Sequence, residues 1–238
     1  MARDAIRIVR AAGHSFLAAP ISPTSVVVDL GVNEGEFALA MIESFGCSVV
    51  GIEPVPDLFA ALPRLDRLAV DPFAVTATGD SVTLYLNRSR TAATIDARLS
   101  EAAAPSVQVE GITLAGLLDR HRLDRAPLVK IDIEGAELEV FENASIATLQ
   151  RVDQFTVEFH DFLDPQLAEP VRRAKQRLRS AGFAEFALGL DNQDVLFVNR
   201  ARIPFGPVQR AAAALTHKYP RGVRRQLDRH VRVLRGHR

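Results

Sequence analysis

The sequence predicts an α/β fold, a Rossmann-like doubly wound and mostly parallel sheet of seven strands with a C-terminal antiparallel hairpin. Three observations carry that prediction. Apolar runs bounded by turn residues recur at the spacing of strands alternating with helices. The runs around Val26, Val49, Val129 and Phe155 are almost continuous in apolar residues, the pattern of parallel strands covered on both faces. With 238 residues, 47% of them hydrophobic and 24% charged, the chain suffices for one α/β domain with a sizeable core but would be cramped as two.

Taken in order, residues 1–24 read as an N-terminal helical segment, 25–200 as the domain and 201–238 as a basic tail. Strands are expected from Ser25 to Leu30, Cys47 to Ile52, Leu68 to Ala74, Val82 to Asn87, Leu128 to Ile133, Gln154 to Phe159, Ala184 to Leu188 and Val195 to Asn199. Helices are expected from Gly35 to Phe45, Pro56 to Asp66, Thr113 to His121, Ala136 to Leu149 and Pro165 to Ala181. The last carries an apolar stripe of Val171, Ala174, Leu178 and Ala181 and stops at Gly182. Two short strands joined through Gly189 to Asp194 form the hairpin, which adds antiparallel edge strands. Residues 88–106, polar and rich in alanine, read as a surface loop or lid.

The net charge of zero hides an asymmetry. Residues 201–238 hold ten basic side chains against one acid, a charge of +9, which leaves −9 on the first 200 residues. No run of 18 apolar residues occurs and the first ten residues interrupt their apolar positions with charges, so a cytosolic protein is expected. The single cysteine, Cys47, has no pairing partner and reads as a small core residue.

Asp29-Leu30-Gly31-Val32-Asn33-Glu34-Gly35 follows a strand and opens a helix, the context of a nucleotide-binding turn. Gly31 and Gly35 let the backbone approach a ligand, and the helix start can receive a carboxylate. Glu53, at the end of the second strand, can accept both hydroxyls of a ribose. The loop lacks the G-x-G pair of dinucleotide enzymes, and Asp29 and Glu34 would repel a pyrophosphate, which argues against a nicotinamide oxidoreductase. Asp29 suits a ligand with a positive end, and the ammonium and sulfonium of S-adenosylmethionine meet that description. The expected cofactor positions are Asp29, Gly31, Asn33, Gly35, Glu53, Ala77 and Asp132.

The second informative segment runs from Leu128 through Lys130-Ile131-Asp132-Ile133-Glu134-Gly135-Ala136-Glu137. Lys130, Asp132 and Glu134 alternate with apolar residues, so they share a face where the strand runs out, and ligands bind beyond the carboxyl ends of such strands. If the strand ending in Glu158-Phe159-His160 lies beside it, Glu158 and His160 come near Asp132. Lys130, Asp132, Glu134 and His160 are the candidate catalytic residues. Asp132, Glu158 and His160 are candidate ligands for Mg²⁺, which would polarise an acceptor hydroxyl as His160 or Asp132 could by taking its proton. Three plainer readings stand beside these. Glu134 and Glu137 favour a helix start, Lys130 neutralises its neighbouring acids, and His160 is held by a local hydrogen bond.

From about Ser25 to about Asn199 these segments resemble the FkbM family of methyltransferases, the Lys-Ile-Asp-x-Glu-Gly-Ala-Glu string being the most specific part. Val32 stands where the family usually has alanine. The resemblance implies a class I methyltransferase fold and S-adenosylmethionine-dependent O-methylation of a sugar, glycolipid or secondary metabolite. It does not reach the tail. Phosphate contacts through the tail would suit a nucleic-acid methyltransferase, although the tail is poor in aromatics able to stack a base, Tyr219 among them, and no Asn-Pro-Pro-Tyr segment is present. From Val208 to Leu234 apolar residues interleave with arginines, a pattern compatible with an interfacial helix broken at Pro220 on an anionic membrane.

Overall fold

The computed structural model describes residues 7–86, 93–94, 105–133, 135–161, 164–189 and 192–204. Glu134, most of 88–106 and the tail beyond residue 204, with the interfacial helix expected there, lie outside the described residues. Among the described residues no helix is long and apolar enough to cross a membrane.

The strands are β1 (Ile8–Ala11), β2 (His14–Leu17), β3 (Val26–Leu30), β4 (Ser48–Ile52), β5 (Leu68–Asp71), β6 (Ala74–Val75), β7 (Val82–Leu86), β8 (Ala93–Thr94), β9 (Ser106–Val109), β10 (Gly111–Ile112), β11 (Val129–Ile131), β12 (Gln154–Val157), β13 (Phe183–Ala187) and β14 (Val195–Asn199). The helices are α1 (Glu36–Phe45), α2 (Pro56–Ala61), α3 (Leu114–Arg120), α4 (Glu137–Asn143), α5 (Ile146–Leu149) and α6 (Ala168–Ser180). Seven strands form the central sheet in the order β13-β14-β12-β11-β3-β4-β5. β11 pairs parallel with both β3 and β12, so chain direction along the sheet reverses at β3 and a crevice opens beyond the carboxyl ends of β3 and β11.

Alternation sorts the core into two layers. Val28, Leu30, Val50, Ile52, Val129, Ile131, Phe155 and Val157 face a cluster under α3, α4 and α6. Val27, Val49, Leu128, Leu196 and Val198 face α1 and the β1–β2 hairpin, where Cys47 is also buried. The predicted stripe of α6 is buried throughout.

Several expectations change. Residues 8–17 form an antiparallel hairpin, not a helix. Ala12 and Gly13 turn it with φ of 42° and 91°, and the whole of β2 is buried. The expected strand from Leu68 to Ala74 breaks at Pro72, which has no N–H to give a ladder, and its last residue begins β6, paired with β10. β7 belongs to a separate sheet with β8 and β9, and Ala93–Thr94, inside the expected loop, is one of its strands. The helix from Ala136 to Leu149 is two, because Ser145 caps a new start by accepting from Thr148 N. The expected C-terminal antiparallel hairpin is present as β13 and β14, with β14 inserted between β12 and β13, so that the edge strand β13 runs in the direction of the parallel strands.

Candidate active site

β3 delivers Asp29 beside Lys130 of β11, its partner in the parallel register. Asp29 is fully buried, and Lys130 Nζ lies 3.1 Å from its Oδ1. The same ammonium donates to Gly31 O at 2.5 Å and stands 3.7 Å from Asp132 Oδ2. Burial alone would pull Lys130 below the ordinary lysine range, but Asp29 and Asp132 outweigh it and hold the ammonium higher. The ammonium thus lies between two carboxylates and bonds the Gly31 carbonyl, which ties the glycine loop to the sheet. Asp29 consequently meets Lys130 under the loop, where the sequence reading gave it the positive end of a ligand.

Gly31 has φ 86° at the closest approach in the site. A Cβ there would stand 1.9 Å from Asp132 O, so the loop after β3 and the end of β11 touch backbone to backbone. The loop continues with positive φ at Asn33 (51°) and Gly35 (88°), and Gly35 caps α1. Asn33 is exposed, and its N–H donates to Glu53 Oε2 at 2.7 Å. Val55 N donates to Glu53 Oε1 at 2.8 Å. Burial pushes the Glu53 carboxyl up, against the lowering effect of these two N–H groups. Ala77 is half-buried just after β6.

On the other side of the crevice β12 pairs with β11, as the candidate site required, and Glu158 N donates to Ile131 O. His160 is buried, with Nδ1 3.1 Å from Glu137 Oε1. Glu137, also buried, accepts from Ile133 N and Gly135 N. With the Glu137 carboxylate accepting at Nδ1, the nitrogen of His160 left to act as a base is Nε2, 3.8 Å from Asp132 Oδ1. A histidine oriented by a buried carboxylate in this way is the arrangement of a general base.

Asp132 is 27% exposed at its side chain and stands at the centre. Burial would raise its carboxyl, but His14, Lys130 and His160 together hold it below the usual range. His14 comes from the N-terminal hairpin, with Nε2 3.6 Å from Asp132 Oδ2. Sequence reasoning missed both His14 and the role of Glu137. His14 sits in a segment read as helical, and Glu137 had the plainer explanation of a helix-start acid.

The predicted metal trio does not come together as one set. Among the described residues, possible ligand atoms lie within 4.8 Å of one another in two groups, His14 with Asp132 and Glu158, and Asp132 with Glu137 and His160. The Lys130 ammonium beside Asp132 opposes a divalent cation in either group.

The Gly31 to Gly35 loop and Glu53 fit a nucleoside donor. Gly31 lets the loop lie directly on the end of β11, and each Glu53 oxygen keeps an acceptor site for a ribose hydroxyl beyond the N–H it already receives. Asp29 and Asp132 face one ammonium, and Glu53 adds a third acid to the same end of the sheet, a negative surplus that suits a sulfonium.

Comparison with known proteins matches residues 29–184 to a family model described as the methyltransferase FkbM domain. A 31-O-demethyl-FK506 methyltransferase FkbM of Streptomyces tacrolimicus is 30% identical over 211 residues, covering 74% of this chain and 78% of that protein. Among solved structures, human methyltransferase-like protein 13 in complex with SAH aligns at a TM-score of 0.44 with 11% identity, covering 84% of both chains. An rRNA methylase from Streptococcus thermophilus aligns at 0.41 with 11% identity, covering 76% of this chain and 88% of that one.

Proposed function

The chain belongs to the FkbM family of methyltransferases, whose methyl donor is S-adenosylmethionine, and we propose that it methylates a hydroxyl of a sugar, glycolipid or secondary metabolite. The observation that carries the hydroxyl assignment is the Glu137–His160 pair opposite Asp132. An alcohol is a weak nucleophile, and its proton must leave as the new bond forms. The related 31-O-demethyl-FK506 methyltransferase supports the same reading.

When bound, S-adenosylmethionine supplies an electrophilic methyl group on a positively charged sulfur. Glu53 would hold the ribose hydroxyls, and the loop from Gly31 to Gly35 would take the methionine end against the start of α1. An acceptor hydroxyl placed between Asp132 and His160 would give its proton to His160 Nε2 as its oxygen takes up the donated methyl group. Glu137 stabilises the imidazolium that results, since its carboxylate already faces Nδ1.

Isothermal titration with S-adenosylhomocysteine tests the donor site, and micromolar binding is expected. Radiolabelled methyl transfer to a panel of hydroxylated glycans, lipids and macrolides, with amines and nucleic acids alongside, tests the acceptor class. No binding at high micromolar ligand, or label in amines or nucleic acid alone, would overturn the assignment.

A further inference from the structure

We propose that His14, on the tip of the N-terminal hairpin, is a positioning residue that holds the Asp132 carboxylate facing His160 across the reaction gap. The proposal rests on the reading of Asp132 and His160 as the acceptor side of the site.

The hairpin lies across the sheet face and is fastened at both ends. Leu17 exchanges two hydrogen bonds with the Gln154 side chain at the start of β12, Leu17 N donating to Oε1 at 2.8 Å and Nε2 donating to Leu17 O at 2.9 Å. At the other end Ser15 gives both its N–H and its hydroxyl to the Asp194 carboxylate, just before β14. Both anchors are buried, so the residue between the hairpin turn and Ser15 has a fixed place. That residue is His14, 3% exposed, packed edge-on against Phe37 of α1 with ring centroids 5.8 Å apart.

Of its two nitrogens, Nε2 faces Asp132 and Nδ1 is buried without a hydrogen-bond partner. Leaving a buried polar atom unsatisfied is costly, so the ring position needs a reason. A proton on Nε2 provides one, since that N–H then points at the Asp132 carboxylate 3.6 Å away while the ring packs on Phe37. Asp132 Oδ2 thus faces His14 and Lys130 on one side, and Oδ1 is turned to the gap where His160 stands. Without His14, Lys130 alone defines the carboxylate, and rotation toward its ammonium withdraws Oδ1 from the gap.

The test uses the full chain with ¹⁵N-labelled histidine, saturated with S-adenosylhomocysteine. Long-range ¹H–¹⁵N spectra are expected to show His14 protonated on Nε2 and His160 on Nδ1. His14→Ala should shift the His160 Nε2 resonance, and His14→Gln, whose amide places an N–H near the same point, should restore it. S-adenosylhomocysteine affinity should stay within threefold of the parent in both. His14 protonated on Nδ1, a His160 signal unmoved by His14→Ala, a failure of His14→Gln to restore it, or a tenfold loss of affinity would each overturn the proposal. Because tautomers are read with or without ligand, failure of the parent to bind S-adenosylhomocysteine would instead count against the donor assignment.

Discussion

Replacing Lys130 with methionine removes the ammonium that faces Asp29 and keeps most of the side-chain volume. Asp29 is completely buried and Lys130 lies 3.1 Å away with its own side chain 5% exposed, so the variant strands a carboxylate where no water reaches it. Breaking a buried pair from one side costs about 3–5 kcal/mol. For a domain of this size each kcal/mol shifts Tm by roughly 2–4 °C, which gives a fall of roughly 6–20 °C. Thermal denaturation and urea unfolding measure it. The double variant Asp29→Asn, Lys130→Met removes the stranded charge and should recover at least half of the loss, the remainder being the introduced amide left without partners and the lost bond to Gly31 O. Acidification provides an independent sign. Burial pushes the Asp29 carboxyl above its unfolded value, and with no ammonium to oppose it the folded state of Lys130→Met binds the proton more readily. Its stability deficit should therefore shrink as pH falls toward about 4. A Lys130→Met loss under about 1 kcal/mol, or a double variant no more stable than the single, would refute the role given to this pair.

Gly31→Ala would put a Cβ 1.9 Å from Asp132 O at a φ of 86°, so S-adenosylhomocysteine affinity by calorimetry should fall at least tenfold along with Tm. Glu137→Gln keeps an acceptor for the loop N–H groups but removes the charge behind His160, and single-turnover methyl transfer should slow by about 10²-fold while donor affinity stays within threefold. Asp132 has a folded value held below its unfolded one, so it contributes stability above about pH 4 that is lost as pH falls through the folded value. The Tm difference between parent and Asp132→Asn should accordingly narrow between pH 7 and pH 3.

The sheet was legible because its strands are dense in Val and Ile: Val26 to Leu30 and Ser48 to Ile52 are covered on both faces, as their near-continuous apolar runs require. The N-terminal hairpin was not, since Ile8, Val9 and Ala11 are half-covered and separated by Arg10, an ambiguous period, and the one clear sign was Gly13. The site divided along the same line. Gly31, Glu53 and Asp132 lie at strand ends and follow from topology, whereas the bond from His160 to Glu137 joins two elements whose separation along the chain carries no spacing rule. His14 reaches Asp132 through a hairpin whose course is set by side chains of Gln154 and Asp194, which no local pattern announces.

Glu53 gives the donor site a further property. By accepting from Asn33 and Val55 it fixes, before any ligand arrives, both the loop after β3 and the turn after β4. Binding a nucleoside there need not freeze a wandering loop, so little conformational entropy is lost on association and more of the contact energy appears as affinity. The same rigidity limits adaptation. Donor analogues that need the loop to yield should bind poorly even when their polar groups are correctly placed, and adaptability toward acceptors must come from other parts of the chain.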